Sequence, residues 1–468
     1  MSDLEIYKFG GTSGATREAL NYCLQHLQKN KAPKVAVFSA VAGQTNRLIK
    51  GADEQIISGQ FPNKQFDEIS DAFLVPFGHI PICRDIIRTA MDDLEKRISF
   101  YNYEEVQSLE NKKDLTEEEK NYIQNIKDSH IANCAAFGEW TMEDLVPIFF
   151  EENNVPIRKI KAERLFRFKG NPRKGQIMDI SAHLIREALL EDYFDGITIL
   201  GGYYALGPNG EYMVLNRGGS DETKAYIANV INAKVAYNCT DVDGVKSIDP
   251  RLLTTDERIS LKSFDYLSYQ EMQELSRQGA KVLYSGCIER LMEKNIPLHI
   301  ISTFDLDSKG TEVGPMKDET PKAKAVTGKK DNFVTLGLRT GHMQGQSGYL
   351  AAFFQIFADE DISIDITGTS DAEIGASFSD PAANLSRLIG KLETLGEVTI
   401  HNSSALVALV GNRLGRTRSL GDFFNVLHRH NIPVQQISKS PNDCSLWTEV
   451  PNDNYNEAVT SVYRELNL

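Results

Sequence analysis

The sequence predicts an α/β protein: a layered, largely parallel sheet flanked by helices, followed by two small ferredoxin-like βαββαβ units. Three observations carry this expectation. Short β-rich runs alternate with helical patterns over roughly the first three hundred residues. The texture then turns polar, with Gly and Pro, over residues 309–330 (KGTEVGPMKDETPKAKAVTGKK). After it, one arrangement of strands and helices occurs twice.

In chain order, residues 5–9 and 34–39 read as strands, with a helical pattern over 17–29 between them. Further strands are expected at 196–200, 233–239 and 297–302, each beside a helical stretch. Residues 66–152 are mostly helical and interrupt the strands. Within them the charge run 111–120 contains Thr116-x-x-Glu119, the form of a capping box, and predicts a solvated helix start. Residues 309–330 read as a boundary or linker. The first round then runs strand 332–339, helix 348–359, strands 362–366 and 373–378, helix 383–395, strand 397–401. The second runs strand 405–410, helix 420–430, strands 432–437 and 445–450, helix 455–466. The second round lacks its last strand and must borrow one, for which residues 322–327 are the obvious donor.

The 468 residues predict about three domains at roughly 150 residues each. Lysine plus arginine number 51 and acids 65, a formal charge of −14, so no uniform attraction for nucleic acid or anionic lipid is expected. No apolar run reaches the roughly 18–20 residues of a membrane span, and the first residues have no signal-peptide pattern. Six cysteines without a CxxC or a His pair at metal spacing read as reduced core thiols of a cytoplasmic protein.

Five motifs have the composition of ligand loops. Lys8-Phe9-Gly10-Gly11-Thr12-Ser13 follows the first strand, where glycines let backbone approach an anion and a lysine adds charge. A tight turn beside a solvated lysine would use the same residues. The loop Ser39 to Asn46 ends the second strand with small and hydroxyl residues, suited to a ligand at a sheet's carboxyl edge or simply to capping. Asn216-Arg217-Gly218-Gly219-Ser220-Asp221 sets an arginine, able to hold a carboxylate bidentately, before a helix that Asp221 would also cap. Thr240-Asp241-Val242-Asp243-Gly244-Val245 closes another strand, ahead of Asp249-Pro250-Arg251. It fails as an EF-hand, whose first and twelfth ligand positions would fall on Cys239 and Pro250. Gly279-Ala280-Lys281-Val282-Leu283 follows a helix and suits a phosphate contact or a surface charge. No Walker A, GxGxxG or protein-kinase signature occurs. No nucleophile–base pair accompanies these loops, so chemistry that needs only positioned cations and N–H donors fits best, phosphoryl transfer above all. A carboxylate acceptor would need no general base, being ionised at pH 7.

Taken in order, KFGGTS at 8–13, the 39–46 loop, Phe137-Gly138-Glu139, RGGSD at 217–221, TDVDG at 240–244 and GAKVL at 279–283 resemble the aspartokinases of the amino-acid kinase family. The resemblance runs from about residue 3 to 466. It implies a layered α/β/α kinase domain over 1–310, one ACT domain at 332–401, and a second formed from 322–331 and 402–468. It implies transfer of the ATP γ-phosphate to the β-carboxylate of L-aspartate, giving 4-phospho-L-aspartate, the first step towards lysine, threonine and methionine. Lys8 would hold the reacting oxygens, and Asp221 would orient the lysines and glycine loops. Gly10, Gly11, Ser39, Gly218 and Gly219 would cradle phosphate. Thr45 and Glu139 would take the substrate ammonium, Arg217 its α-carboxylate, with Ser220 beside them. Thr240, Asp241, Arg251 and Lys281 would line the nucleotide site, Mg²⁺ entering mainly through ATP with no metal-ligand set of the chain's own.

The sequence departs from the family at Val214, Asn216, Lys246 and Tyr284-Ser285, all beside expected nucleotide contacts. The ACT pair implies an amino-acid effector, lysine favoured and threonine an alternative, and a homodimer or larger assembly through these domains. Matching effector positions are Met343, Gln346, Gly348, Tyr349 and Leu350 at the first helix start. Ile364, Asp365, Thr369, Ser370 and Asp371 match around the next strand. Asp365 and Asp371 suit an ammonium; the bland alternative is loop caps supporting a dimer. Acetylglutamate and glutamate 5-kinases share the core but not the tandem ACT pair. A silent amino-acid sensor of the same fold is the reading from another class.

Overall fold

The computed structural model describes residues 2–468 except 217, 278–282, 319, 342–346, 380–383 and 440. It forms two compact units: Met1–Val245 with Phe264–Tyr269 and Val282–Pro315, and Lys246–Ser263 with Gln270–Lys281 and Met316–Leu468.

The first unit is built on an eight-stranded sheet. Its strands run, from edge to edge, Tyr266–Ser268, Thr311–Gly314, Leu298–Ser302, Val235–Thr240, Glu5–Phe9, Lys34–Phe38, Ile197–Gly201 and Ile157–Lys159. All neighbours are parallel except Leu298–Ser302 with Thr311–Gly314. The central strands are apolar because helices cover both faces: every residue of Lys34–Phe38 and of Ile197–Gly201 is buried. Register sets Lys8 opposite Asn238 on one side and Val37 on the other.

The expected helical insertion comprises Asn63–Phe77, Pro81–Ser99, Tyr103–Glu110 and the 35-residue helix Glu117–Glu151. The capping box at the start of the last is present, with Glu119 N–H donating to Thr116 Oγ1 at 3.2 Å and Thr116 N–H to Glu119 Oε2 at 3.0 Å. Phe9 stacks on Phe38, and Phe38 meets Phe150 edge to face where sheet and long helix meet. All six cysteines are buried free thiols.

Residues 309–330, expected as a linker, instead hold strand Thr311–Gly314 and the start of strand Lys322–Arg339. Their polar sequence hid a period-two pattern of small buried residues, Thr311 and Val313 in one strand and Ala323 and Ala325 in the other.

The second unit is a six-stranded antiparallel sheet ordered Ile366–Thr369, Glu373–Phe378, Lys322–Arg339, Glu397–Asn412, Ser445–Pro451, Gln436–Lys439. Two long central strands serve both rounds. Val334–Arg339 pair with the first round's Glu373–Phe378, while Lys322–Thr327 pair with residues 408–412 of the second. The register shifts between Lys329 and Thr335, near the left-handed residues Asn332 and Ser403.

Expected strands 362–366 and 432–437 start later, at Ile366 and Gln436. In both rounds the helix ends at a left-handed residue, Asp361 or Asn431, and the following isoleucine N–H returns to the helix, Ile362 to Phe357 O and Ile432 to Leu427 O. This shared helix stop uses residues that pattern reading gave to a strand. Between the rounds Glu449 is fully buried, accepting from Ser377 Oγ at 2.7 Å and from Thr335 Oγ1.

Candidate functional site

The glycine loops converge because their strands are parallel: Phe9, Phe38, Gly201 and Thr240 all end at one edge of the sheet. After Phe9 the chain makes the short 3₁₀ turn Gly11–Gly14 before helix Arg17–Gln28. Its neighbours hold it in place: Ser39 N–H donates to Phe9 O at 3.1 Å, Ala42 N–H to Gly11 O at 3.1 Å and Gly10 N–H to Cys239 O at 3.3 Å. A Cβ on Gly11 would sit 2.8 Å from Ala40 O and 2.9 Å from the Ala42 backbone, so the close approach requires glycine.

These loops border a cleft of about 480 Å³ whose lining includes Lys8, Ser39, Thr45, Glu139, Ser220 and Asp221. Cavities of about 580 and 520 Å³ elsewhere on the helices contain none of these motif residues.

Lys8 Nζ lies 3.1 Å from Asp221 Oδ1, with side chains only 15% and 10% exposed. Asp221 stands in the first turn of helix Gly219–Ile231, whose cap Gly218 has φ +84°. The lysine is thus held between an acid and a helix N-terminus, an arrangement that favours an anionic ligand.

Glu139 projects from the middle of the long helix and is 3% exposed. Its Oε1 accepts from Ser220 Oγ at 2.5 Å and its Oε2 from Gly202 N–H at 2.8 Å. Burial raises its pKa from 4.5 to about 7, against the opposing pull of these two donors and of Lys8. A buried carboxylate at the cleft wall suits an ammonium ligand.

Several groups at this centre were absent from the sequence reading. Glu143, one turn along from Glu139, is fully buried and accepts from Ala162 N–H at 2.7 Å, Gly201 N–H at 2.8 Å and the Tyr204 hydroxyl; burial lifts its pKa to about 8. Lys224 is fully buried, with Nζ donating to Asn238 Oδ1 at 3.2 Å. Arg173 also lines the cleft, its guanidinium 3.8 Å from Asp128. Tyr203 sits at φ +67° beside the cleft, its N–H donating to Thr223 Oγ1 at 3.1 Å. None carries a motif; only the glycine pair Gly201-Gly202 ahead of Tyr203 hinted at a turn there.

The remaining expected residues fall in several places. Thr45 lies in the first turn of helix Gln44–Ser58, behind the left-handed cap Gly43. Thr240 closes its strand and donates to Asp241 Oδ1 at 3.1 Å. Arg251 belongs to the second unit, where it pairs with Asp249 at 2.6 Å. Arg217, Lys281, Met343 and Gln346 lie outside the described residues.

Among the effector positions, Gly348 caps helix Tyr349–Asp359 at φ +91°, and Leu350 is 41% exposed. Ile364 packs against the first-round core, and Thr369 ends strand Ile366–Thr369. Ser370 Oγ accepts from Glu373 N–H at 3.1 Å, beside the exposed Asp371. Asp365 is already engaged by an ammonium of the chain itself, Lys329 Nζ at 2.9 Å.

Residues 3–302 match the model of the amino acid kinase family. End to end, the chain is 27% identical to the lysine-sensitive aspartokinase 3 of Escherichia coli, covering 100% of both proteins. It is 25% identical to the chloroplastic aspartokinase 1 of Arabidopsis thaliana over 93% of this chain and 75% of that one. Among solved structures, E. coli aspartokinase III in complex with aspartate and ADP superposes with a TM-score of 0.82 at 24% identity, covering 99% of this chain and 100% of that one. At that identity the likeness carries the fold, while the family model spans well over half the residues. The chain belongs to the amino acid kinase family.

Proposed function

We propose that this chain is an aspartate kinase, transferring the γ-phosphate of ATP to the β-carboxylate of L-aspartate. The observation that carries the reading is the cleft in which a Lys8–Asp221 pair faces the buried Glu139 at the carboxyl edge of the parallel sheet. An acceptor with an ammonium and carboxylates finds an anion and a cation there. The full-length likeness to aspartokinases supports the same substrate.

In this reading the Lys8 ammonium draws charge from the transferring phosphoryl oxygens, and Asp221 keeps that ammonium in place. Glu139 takes the aspartate ammonium, with Thr45 and Ser220 beside it, and Arg217 takes the α-carboxylate. The β-carboxylate attacks unaided, being ionised already. Gly10, Gly11, Ser39, Gly218 and Gly219 shape the phosphate side, and Thr240 and Asp241 the nucleotide side. Asp221 is engaged by Lys8 and Glu139 by two donors, so the cleft's carboxylates do not form a cation cage. Mg²⁺ would be held mainly by the ATP polyphosphate, whose charge it would offset, and no residue is assigned to it.

Residues 322–468 of the second unit fit a regulatory role, as an ACT domain at 332–401 and another from 322–331 and 402–468, after a kinase domain at 1–310 whose residues 246–263 and 270–281 also belong to that unit. Lysine is the favoured effector, threonine the alternative, acting on a dimer or larger assembly. No helix among the described residues is long and apolar enough to cross a membrane, and six free buried thiols fit a cytoplasmic enzyme.

The test is hydroxylamine trapping of the acyl phosphate with ATP, Mg²⁺ and L-aspartate. Hydroxamate from N-acetylglutamate or glutamate but none from aspartate refutes the substrate; none from any acceptor favours the sensor.

A further inference from the structure

We propose that Lys224 is a positioning residue of the phosphoryl-transfer centre, holding Asp221, and through it Lys8, in place from beneath the sheet edge. The inference rests on the kinase reading above. Lys224 stands one helical turn after Asp221 on helix Gly219–Ile231, on the side facing the sheet, and is fully buried. Its ammonium has one hydrogen-bond partner among the described residues, the neutral Asn238 amide oxygen at 3.2 Å, and no ion pair there. Asn238 is the register partner of Lys8 on the adjacent strand. The polar layer under the cleft is therefore continuous: Lys8 touches Asp221, Lys224 follows Asp221 on its helix, and Lys224 touches the residue beside Lys8.

A lysine buried with a single neutral partner is a poor stabiliser of a fold. Burial depresses its pKa, and the other ionisable groups facing it offer little relief. These are Asp221 on its own helix, Lys8 on strand Glu5–Phe9, Cys239 on strand Val235–Thr240 and Cys287 on helix Gly286–Glu293. Two of them are uncharged buried thiols, one is a like charge, and only Asp221 is attractive. Among the described residues, Lys8 and Lys224 therefore share one attractive acid, Asp221. With Lys224 in place, the Asp221 carboxylate is drawn towards the sheet, which fixes the group that locates the Lys8 ammonium.

Lys224→Met tests this, because methionine keeps the length of the side chain while removing its charge. A buried unpaired charge replaced by an apolar group of similar volume leaves stability unchanged or improves it. The expected result is a Tm no lower than wild type, kcat for aspartyl hydroxamate down by about 10- to 100-fold, and KM for aspartate within about threefold. Asn238→Asp, which keeps every volume but gives Lys224 its own anion, should also lower kcat, by about fivefold or more, with a Tm at or above wild type. Wild-type turnover by Lys224→Met overturns the proposal. So does a fall in activity that merely follows a fall in Tm, which would make Lys224 structural. Wild-type protein assayed in parallel separates the two claims. If it phosphorylates another carboxylate instead of aspartate, the substrate reading fails and the same kcat comparison is made on that acceptor; if it phosphorylates none, both fall.

Discussion

Replacing Glu139 by glutamine isolates a single negative charge. Glutamine has the same shape, and its groups can keep both present contacts: the amide oxygen accepts from Gly202 N–H, and the amide NH₂ donates to Ser220 Oγ, whose hydroxyl turns to receive it. What disappears is the charge, whose pKa burial has raised from 4.5 to about 7. At about 1.4 kcal/mol per pH decade, keeping that carboxylate ionised above neutrality costs the folded state roughly 3 kcal/mol. The sign follows from proton binding. Between pH 4.5 and about 7 the native state holds more protons here than the unfolded chain, so stability falls as pH rises through this window. Glu139→Gln should flatten that fall and melt at pH 8 no lower than wild type.

Activity should move the other way. A hydrogen bond from the substrate ammonium to a buried carboxylate is worth about 1.5–3 kcal/mol, so kcat/KM for aspartate should drop roughly 10- to 150-fold. KM for ATP should stay within about twofold, since Glu139 faces the acceptor. In wild type, kcat/KM for aspartate should rise with pH through about 7 as the carboxylate ionises, and the variant should lose this limb. Steady-state hydroxamate assays from pH 6 to 8.5 read all three quantities. Unchanged kcat/KM in the variant, or the same acidic limb in both proteins, refutes the assignment of Glu139 to the ammonium.

Lys8→Ala should lower hydroxamate formation by at least about 100-fold, because a preorganised cation at the transferring group is worth about 3–4 kcal/mol; effector binding, followed by calorimetry, should persist. Gly11→Ala brings a methyl to 2.8 Å from Ala40 O and should cost about 1–3 kcal/mol in urea unfolding, with turnover falling as the 39–43 loop is displaced. Lys329→Met frees Asp365 from its 2.9 Å ion pair, so an effector ammonium no longer competes with one from the chain. Lysine inhibition should tighten by about 2- to 10-fold, and a weaker or unchanged inhibition constant would remove Asp365 from the effector site.

Much of the fold was legible because the sheet is parallel. Strands covered on both faces must be apolar throughout, and Lys34–Phe38 and Ile197–Gly201 announce themselves that way. The edges were less readable. Thr311–Gly314 needs only alternate small residues inside, so its sequence looks like a linker. The two long strands of the second unit were read as separate pieces because the register breaks near Asn332 and Ser403, where the residues look like turn formers. The shared stops at Asp361-Ile362 and Asn431-Ile432 are a firmer mark of duplication than strand order. They repeat a conformation and a hydrogen bond, not just a pattern.

The site divides along a physical line. Gly11 and Gly218 could be found in the sequence because close backbone approach and positive φ demand a particular residue type. Glu143 and Lys224 could not, since an acid or lysine on a helix reads as a solvated face until the neighbouring strands are placed. Once buried, their hydrogen bonds separate their roles. Glu143 has three donors, two of them backbone N–H groups that fix Gly201 and Ala162, so its carboxyl fastens the long helix to the sheet. Glu139 has two donors from elements that border the cleft, which ties its carboxylate to those loops. Among the described residues Lys224 has one neutral acceptor, too little to offset the desolvation of an ammonium. A fold gains nothing from such a group where a methionine would pack as well. Its position next to Asp221 and across from Lys8's strand partner makes sense only if the field at the transfer centre requires it, which is why turnover and melting temperature should part company when it is replaced.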